Sequence, residues 1–168
     1  MSGADNQQER LRAGWIVGFV DGEGTFSVTI QENAEMSCGW QVFPEFVVTQ
    51  GSKSLGALKE LRDFFGCGGI YRNRRRDNHH EDVFRYCVRR IRDLNENIVP
   101  FFETIPLRTS KQEDFRKFVQ VLEMMKEKKH LTPDGLDAIA KIACEMNSRR
   151  KSKFLVSSET VRQTLRRE

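Results

Sequence analysis

Cysteine is scarce in this sequence. The four cysteines lie far apart in the chain: Cys38, Cys67, Cys87 and Cys144. Because none forms a C-x-x-C pair, we expect neither a disulfide framework nor a zinc site. The spacing favours a reducing intracellular setting in which each cysteine is a small buried residue. His79 and His80 also lack partners at metal-ligand spacing, and we expect them at a hairpin tip.

Long apolar runs are missing as well. The longest extends from Trp15 to Val20, whereas a membrane span needs roughly 18 residues. The first ten residues are polar, so the sequence predicts no signal peptide. We therefore expect no membrane association, and the four-residue spacing of Gly14 and Gly18 is not interpreted as a membrane dimer motif.

The net charge of the chain is small. The 168 residues include 28 Lys and Arg against 24 Asp and Glu, which gives +4 at pH 7 and a pI near 9.0. This total favours a nucleic-acid partner only weakly. The distribution is more informative, because the basic residues cluster in three segments: 72–76, 85–92 and 149–167.

Hydrophobic patterning predicts two passes of helix, strand and strand. The expected elements are, in order, a helix over 7–20, strands over 25–31 and 41–50, a helix after Ser54, and strands near 70–74 and 83–89. Gly22 or Gly24 ends the first helix and Gly66 ends the second, which Ser54 caps. Pro44 indicates an edge or a bulge in the second strand.

Further helices are predicted after the second hairpin. Pro100 limits the first of them. Ser110 and Glu113 form a capping box for the next helix. Thr132 and Pro133 are the expected N-cap and first residue of the one after that.

Two antiparallel hairpins, each preceded by a helix, predict an α+β fold of order αββαββα. In this fold one antiparallel sheet has helices on one face, and additional helices follow at the C-terminal side. The opposite face would carry polar and basic side chains and would suit a DNA groove. An ordinary solvated sheet face fits the same pattern at least as well. We expect a single domain over 1–168, with its core at about 7–147 and a basic loop and short helix over 148–168.

The stretch "WIVGFVDGEG", residues 15–24, joins an apolar helix to two acids. Free carbonyls at a helix C-terminus carry partial negative charge, so Glu23 is repelled there unless a cation is present. Mg²⁺ prefers oxygen ligands, and Glu23 beside the carbonyl of Gly22 supplies them. The alternative is a pair of capping glycines with solvated acids, which does not explain the small residues in the preceding helix.

The segment "IVGFVDGEG", residues 16–24, resembles the motif of the LAGLIDADG homing endonucleases, since the small residues, both acids and the final glycine align. The segment "SSETVRQTL", residues 157–165, is similar to the tail of single-motif members encoded in introns of ribosomal RNA genes. The resemblance implies a LAGLIDADG-type fold whose sheet forms a DNA-binding saddle. It also implies a site-specific homing endonuclease that promotes intron mobility. Such an enzyme would make a double-strand break with short 3′ overhangs in a long pseudo-palindromic site, by Mg-dependent phosphodiester hydrolysis.

The resemblance further implies a homodimer, because the chain holds one motif and the paired motif helices bring two Glu23 carboxylates to the scissile phosphates. Gly14, Gly18 and Trp15 are expected at the dimer interface. Glu23 and Gly22 are the expected metal ligands, for two or three Mg²⁺ ions per dimer, which Mn²⁺ would replace.

Two more residues are expected to act in catalysis. Gln50 matches a family position that orders water near the metals. Lys111 is the candidate for the basic residue that polarises this water network or the phosphate, although Ser110 or Arg108 could occupy that place. The alternatives are an ordinary strand-end glutamine and a solvated lysine in the first turn of a helix.

DNA contacts are expected from the outward strand positions and from the basic loop near residue 151. Arginine pairs bidentately with guanine and glutamine with adenine. The strand candidates are Ser27, Thr29, Gln31, Gln41, Arg72, Arg74 and Arg85. Lys151 and Lys153 are expected to contact phosphates near the centre of the DNA site. A solvated strand face and a solvated loop are the alternatives.

Two other classes of function remain open. One is an RNA maturase that assists splicing of its host intron without cleaving DNA, and the other is a transcriptional regulator. The retained Glu23 and the polar strand faces favour the enzyme, although a basic surface would also bind RNA. The expected location is inside the cell with the genome that carries the intron, either bacterial cytoplasm or the matrix or stroma of an organelle.

Overall fold

The computed structural model describes residues 3–73 and 82–146. The helices are α1 (Gly3–Glu23), α2 (Leu55–Phe65), α3 (Ile91–Asp93), α4 (Val99–Thr104), α5 (Lys111–Lys126) and α6 (Pro133–Glu145). The strands are β1 (Gly24–Glu32), β2 (Trp40–Gly51), β3 (Gly69–Asn73) and β4 (Val83–Val88). This order confirms the predicted α+β arrangement of two helix-strand-strand passes. The predicted final helix lies outside the described residues.

The four strands form one sheet in the order β1-β2-β4-β3. β4 is antiparallel to both of its neighbours, and its pairs with β2 run from Phe46↔Val88 to Gly51↔Val83. Pro44 precedes the first β2 residue of this register, so its missing N–H removes no hydrogen bond between β2 and β4.

The chain divides into two compact units, each with its own core. The first comprises residues 1–26 and 45–112 and is centred on Phe46, which is fully buried. The Phe46 ring stacks on Phe26 at 5.0 Å and meets Phe102 of α4 at 5.8 Å and Phe65 of α2 at 6.2 Å. These aromatic contacts hold the two helices against one face of the sheet.

The second unit comprises residues 27–44 and 113–168, and α5 and α6 provide its described helices. Their buried residues are Phe115, Phe118, Val121, Leu122, Leu136, Ile139 and Ala140. Thr132 caps α6 as predicted, since its hydroxyl accepts the backbone N–H of Gly135 at 3.2 Å. Glycine is required at 135, because a Cβ there would lie 2.0 Å from the carbonyl oxygen of Lys129.

Three predicted helix signals need correction. Ser54 occupies the N-cap position of α2 as predicted, but its side chain makes no capping hydrogen bond. Pro100 does not end its helix, because it lies in the first turn of α4, where an N–H is not needed. The capping oxygen before α5 belongs to Thr109, which accepts the Lys111 N–H at 3.3 Å, and not to Ser110.

None of the described helices combines the length and the apolar character that crossing a membrane requires.

Candidate active site

Helix α1 presents two contrasting sides. Its apolar side is buried in the first unit: Ala13, Ile16, Val17 and Val20. Its other side is exposed and carries Gly14, Gly18 and Gly22, where an added Cβ would meet no other described residue within 4 Å. Leu11 and Trp15 beside them are 62% and 39% exposed, which leaves apolar surface uncovered. The helix therefore exposes a smooth face flanked by apolar side chains.

Asp21, the first acid of the motif, is used to hold a loop. Its carboxylate accepts the backbone N–H of Arg108 at 2.8 Å, the backbone N–H of Thr109 at 3.2 Å and the Thr109 hydroxyl at 2.8 Å. The acceptor and donors lie 87 and 88 residues apart in sequence, so Asp21 fixes the start of α5 to the end of α1.

The pKa of Asp21 reflects a competition between burial and hydrogen bonding. Partial burial alone would raise the pKa. The hydrogen bonds from Arg108 and Thr109 outweigh that effect, and with the positive charge of Lys111 they lower the pKa of Asp21 below its usual value. Asp21 is therefore an ionised structural acid at neutral pH.

Glu23, the second acid of the motif, lies two residues after Asp21 and differs from it in exposure and in side-chain partners. It is the last residue of α1 and is exposed. Within residues 3–73 and 82–146 its side chain makes no hydrogen bond or ion pair. The carbonyls of the last helical turn, including that of Gly22, lack partners within the helix. The carboxylate of Glu23 and these carbonyls are oxygen donors directed at the same helix end.

Lys111 contacts this end of α1 from the first turn of α5. Its Nζ donates to the carbonyl oxygen of Val20 at 3.0 Å, an arrangement that places a cation at the negative end of the helix. The chain then turns sharply into β1 at Gly24, where a Cβ would lie 2.6 Å from a methyl carbon of Val20. Lys111 is thus within reach of the motif, and the two alternatives, Arg108 and Ser110, are exposed.

The strand register separates the first unit's candidate residues into two faces, because cross-strand partners share a face. Gln50 pairs with Phe84, which also pairs with Arg72, so these residues share the face of the buried Tyr86. Arg85 pairs with Thr49 and Tyr71 on the opposite face.

The prediction that Arg72 and Arg85 point to one outward face is therefore wrong. Arg72 lies on the helix-covered side at the strand end, where it pairs with Asp82 at 2.6 Å. The sequence pattern failed because the register of β3 on β4 was not readable from it.

In the second unit the hairpin side chains follow the predicted alternation. Val28 and Ile30 are buried, whereas Thr29 and Gln31 are exposed and Ser27 is half-buried. Gln41 is oriented by Asn33, whose amide N–H donates to its side-chain oxygen at 2.7 Å. The remaining candidates, Arg74, Lys151 and Lys153, lie outside the described residues.

Sequence reasoning missed several residues of these surfaces. Glu45 lies on the outward face and accepts from Arg85 at 3.0 Å and from Arg89. Tyr71, on the same face, is 57% exposed. No local pattern could have revealed these groupings, because the partners of Glu45 are 40 and 44 residues away. The alternation of β3 could have pointed to Tyr71 had its register been known.

The fold and this motif define a class of protein. Residues 16–122 match the LAGLIDADG endonuclease family, and the chain belongs to that family.

Solved structures and a curated relative support this assignment. The homing endonuclease I-TnaI is 39% identical with a TM-score of 0.76, over 92% of this chain and 96% of that one. I-LtrWI, a LAGLIDADG homing endonuclease solved with its target DNA, is 32% identical with a TM-score of 0.79, over 88% of this chain and 48% of its own. A Neurospora crassa protein named "Probable intron-encoded endonuclease 3" is 34% identical over 135 residues, 79% of this chain. The chain spans about a quarter of that relative's length, since the match covers 24% of it.

Proposed function

We propose that this chain is a site-specific homing endonuclease that makes a double-strand break in duplex DNA. The observation that carries the proposal is the division of labour between the two motif acids. Asp21 is bound by three donors, whereas Glu23, two residues on, presents an unpaired carboxylate at the surface. A solvated carboxylate at the negative end of a helix is electrostatically unfavourable. Its presence there is better explained by the binding of a cation than by a contribution to the stability of the fold.

The donor set fits a hard divalent cation in kind, because it consists of the Glu23 carboxylate and the carbonyl of Gly22. It is incomplete in number, since the described ranges contain no cluster of three or more His, Cys, Asp and Glu side chains able to hold a metal. We therefore propose that DNA phosphates and a second Glu23 complete the site. Mg²⁺, or Mn²⁺ in its place, would when bound activate water and offset charge on the phosphate.

Gln50 and Lys111 are proposed to support this reaction. Gln50 lies near the end of β2 and is half-buried, so its amide can orient water without moving far. Lys111 is held at the motif by the Val20 carbonyl and supplies positive charge beside a carboxylate-rich helix end. In this proposal both residues hold or move protons of ordered water rather than bind the cation.

The active form is proposed to be a homodimer of the single-motif type. Two copies of α1 would pack through Gly14 and Gly18, with Trp15 at the edge of the contact, and bring two Glu23 residues together. Support comes from the uncovered apolar side chains on this face of α1. The match to nearly half of the I-LtrWI chain is also consistent with a second copy supplying a second half.

DNA recognition is proposed to use polar side chains on the strands of both units. In the second unit these are Ser27, Thr29, Gln31 and Gln41. In the first unit Arg85 is the favoured base contact, and Arg72 is a weaker candidate because of its face. Arg74, Lys151 and Lys153 keep their proposed DNA contacts from sequence alone.

The proposal also covers the domain organisation, the cleavage product and the location of the enzyme. Residues 1–168 would act as one domain, and cleavage would leave short 3′ overhangs in a pseudo-palindromic site within an intron-free ribosomal RNA gene. The protein would work in the compartment that holds the genome with the intron, as the intron-encoded relative would.

The direct test of the proposed function is cleavage of intron-free genomic DNA from the source organism, with Mg²⁺ and with EDTA. We expect one break at one mapped position, and no break with EDTA. Absence of any break, combined with tight and specific binding of the host intron RNA, would contradict the endonuclease and favour a maturase.

A further inference from the structure

A polar cavity of about 490 Å³ lies at the far end of β3 and β4 from Gln50. Its walls include the glycine turn 66–69, Tyr71, and the three arginines Arg89, Arg90 and Arg92, with Asp93 among the lining residues. We call it the arginine pocket. It belongs entirely to the first unit and holds none of the residues assigned to the motif.

Of the three arginines that line the arginine pocket, two have acidic partners among the described residues and Arg90 does not. Arg89 is bound to Glu45, and Arg92 lies 3.5 Å from Glu96 and 4.0 Å from Asp93. The Arg90 side chain is exposed and makes no ion pair or hydrogen bond within the described part of the chain. A guanidinium held at a concave surface without an acidic partner favours an anionic ligand.

Neutral groups complete the wall. Gly68 has a positive φ of 76°, and a Cβ there would lie 2.7 Å from the Cys87 carbonyl oxygen, so bare backbone packs directly on β4. Burial raises the pKa of both the Cys67 and Cys87 thiols, which therefore stay uncharged at neutral pH. Neither the turn nor the thiols offset the charge of Arg90.

The pocket is continuous with the outward face of the first unit. Tyr71 lines the pocket and pairs in register with Arg85, the favoured base contact. Cys87, which also lines it, lies on this face two residues after Arg85. A duplex that places bases at Arg85 would therefore carry its phosphates past the mouth of the pocket.

We propose that the arginine pocket binds a phosphate group, and that its source is the backbone of the duplex held on this face. This inference rests on the proposed function and extends it to a contact beyond the strand side chains. Arg90 supplies the charge, while Arg89, oriented by Glu45, supplies a second guanidinium at a fixed position.

The test is duplex binding without divalent metal, measured by fluorescence anisotropy over a range of salt concentrations. Arg90→Ala should weaken binding to target and unrelated duplexes by the same factor, roughly 3- to 10-fold. It should also lower the salt slope of log K by about 1. Arg90→Lys should restore most of the slope. Lys59→Ala, an equal charge change on the exposed side of α2, should alter neither property.

Several outcomes would overturn the assignment. If Arg90→Ala matches Lys59→Ala in affinity and slope, the pocket binds no DNA phosphate. If inorganic phosphate binds the wild type but not Arg90→Ala while duplex binding is unchanged, the ligand is free phosphate. A loss confined to intron RNA would assign the pocket to RNA instead. If the wild type binds no duplex at all, the proposed function fails independently, and the phosphate titration still decides whether the pocket is a phosphate site.

Discussion

At the scale of single residues, the two acids of one helical turn have opposite tasks. Asp21 is a structural group whose carboxylate ties α1 to the loop before α5. The Glu23 side chain has no such partner among the described residues and lies at the surface. The motif therefore combines a clamp and an exposed acidic side chain within three residues.

Asp21→Asn should lower the free energy of unfolding at pH 7 by about 1–3 kcal/mol, because the amide nitrogen that replaces one oxygen would face either the Arg108 N–H or the Thr109 N–H and hydroxyl. Denaturant unfolding measures this loss. Asp63→Asn, which removes an exposed carboxylate paired with its neighbour Arg62, should change stability by about 0.5 kcal/mol or less. Equal losses in the two variants would mean that the Asp21 clamp contributes nothing.

The same carboxylate predicts a pH dependence. The folded-state pKa of Asp21 lies below its usual 3.8, so its contribution is fully present above that value and is lost as the pH falls through the lower folded-state value. The stability difference between wild type and Asp21→Asn should therefore shrink as the pH is lowered from about 6 to about 2. A difference that stays constant over this range would contradict the hydrogen-bonded clamp.

The role of a single residue could be predicted from the sequence only where its partners lie close to it in the chain. The motif pattern alone singled out Glu23 and the neighbouring Gly22. It could not assign Asp21 its task, because the Thr109 partner is 88 residues away. Nor could it show that Arg72 and Arg85 lie on opposite faces of the sheet. A shift of one residue in the pairing of two strands moves every side chain of the shifted strand to the other face.

At the scale of elements, α1 is the unusual helix. It buries one side in the core and leaves a smooth side exposed, flanked by Leu11 and Trp15. Alternation predicted the strands and the order of the helices well, because it is a local signal, whereas only Thr132 of the predicted N-caps makes its capping bond. The continuation of the helical run past Pro100 was missed, because it depends on the π turn Leu94–Ile98 that precedes it.

Gly18→Leu should prevent dimer formation while leaving the fold intact. A Cβ there lies more than 4 Å from the other described residues of its own chain, and a leucine would project into a helix packed against α1. Sedimentation should show a monomer and circular dichroism a native spectrum. Gly56→Leu in α2, where a Cβ also meets nothing within 4 Å, should stay dimeric. A monomeric wild type, or a dimeric Gly18→Leu, would contradict packing through this face.

At the scale of the whole molecule, the chain combines two compact units and one LAGLIDADG motif. The order of elements and the family could be predicted from the sequence. The partition into units could not, because it reflects contacts between segments distant in the chain, such as 27–44 with 113–146. The chain matches 96% of the I-TnaI chain and 48% of the I-LtrWI chain, and the symmetric assembly of two copies is a proposal.

The most direct measurement is a comparison of cleavage and binding for Glu23→Gln on one mapped target duplex. We expect the cleavage rate to fall on the order of 100-fold or more, because the carboxylate that we propose as a metal ligand is lost. Affinity should be unchanged or tighter, since a charge that repels phosphate is removed. Glu103→Gln, an equal change at an exposed position of α4, should cleave like the wild type. A Glu23→Gln protein that cleaves at the wild-type rate would contradict the central role given to this residue.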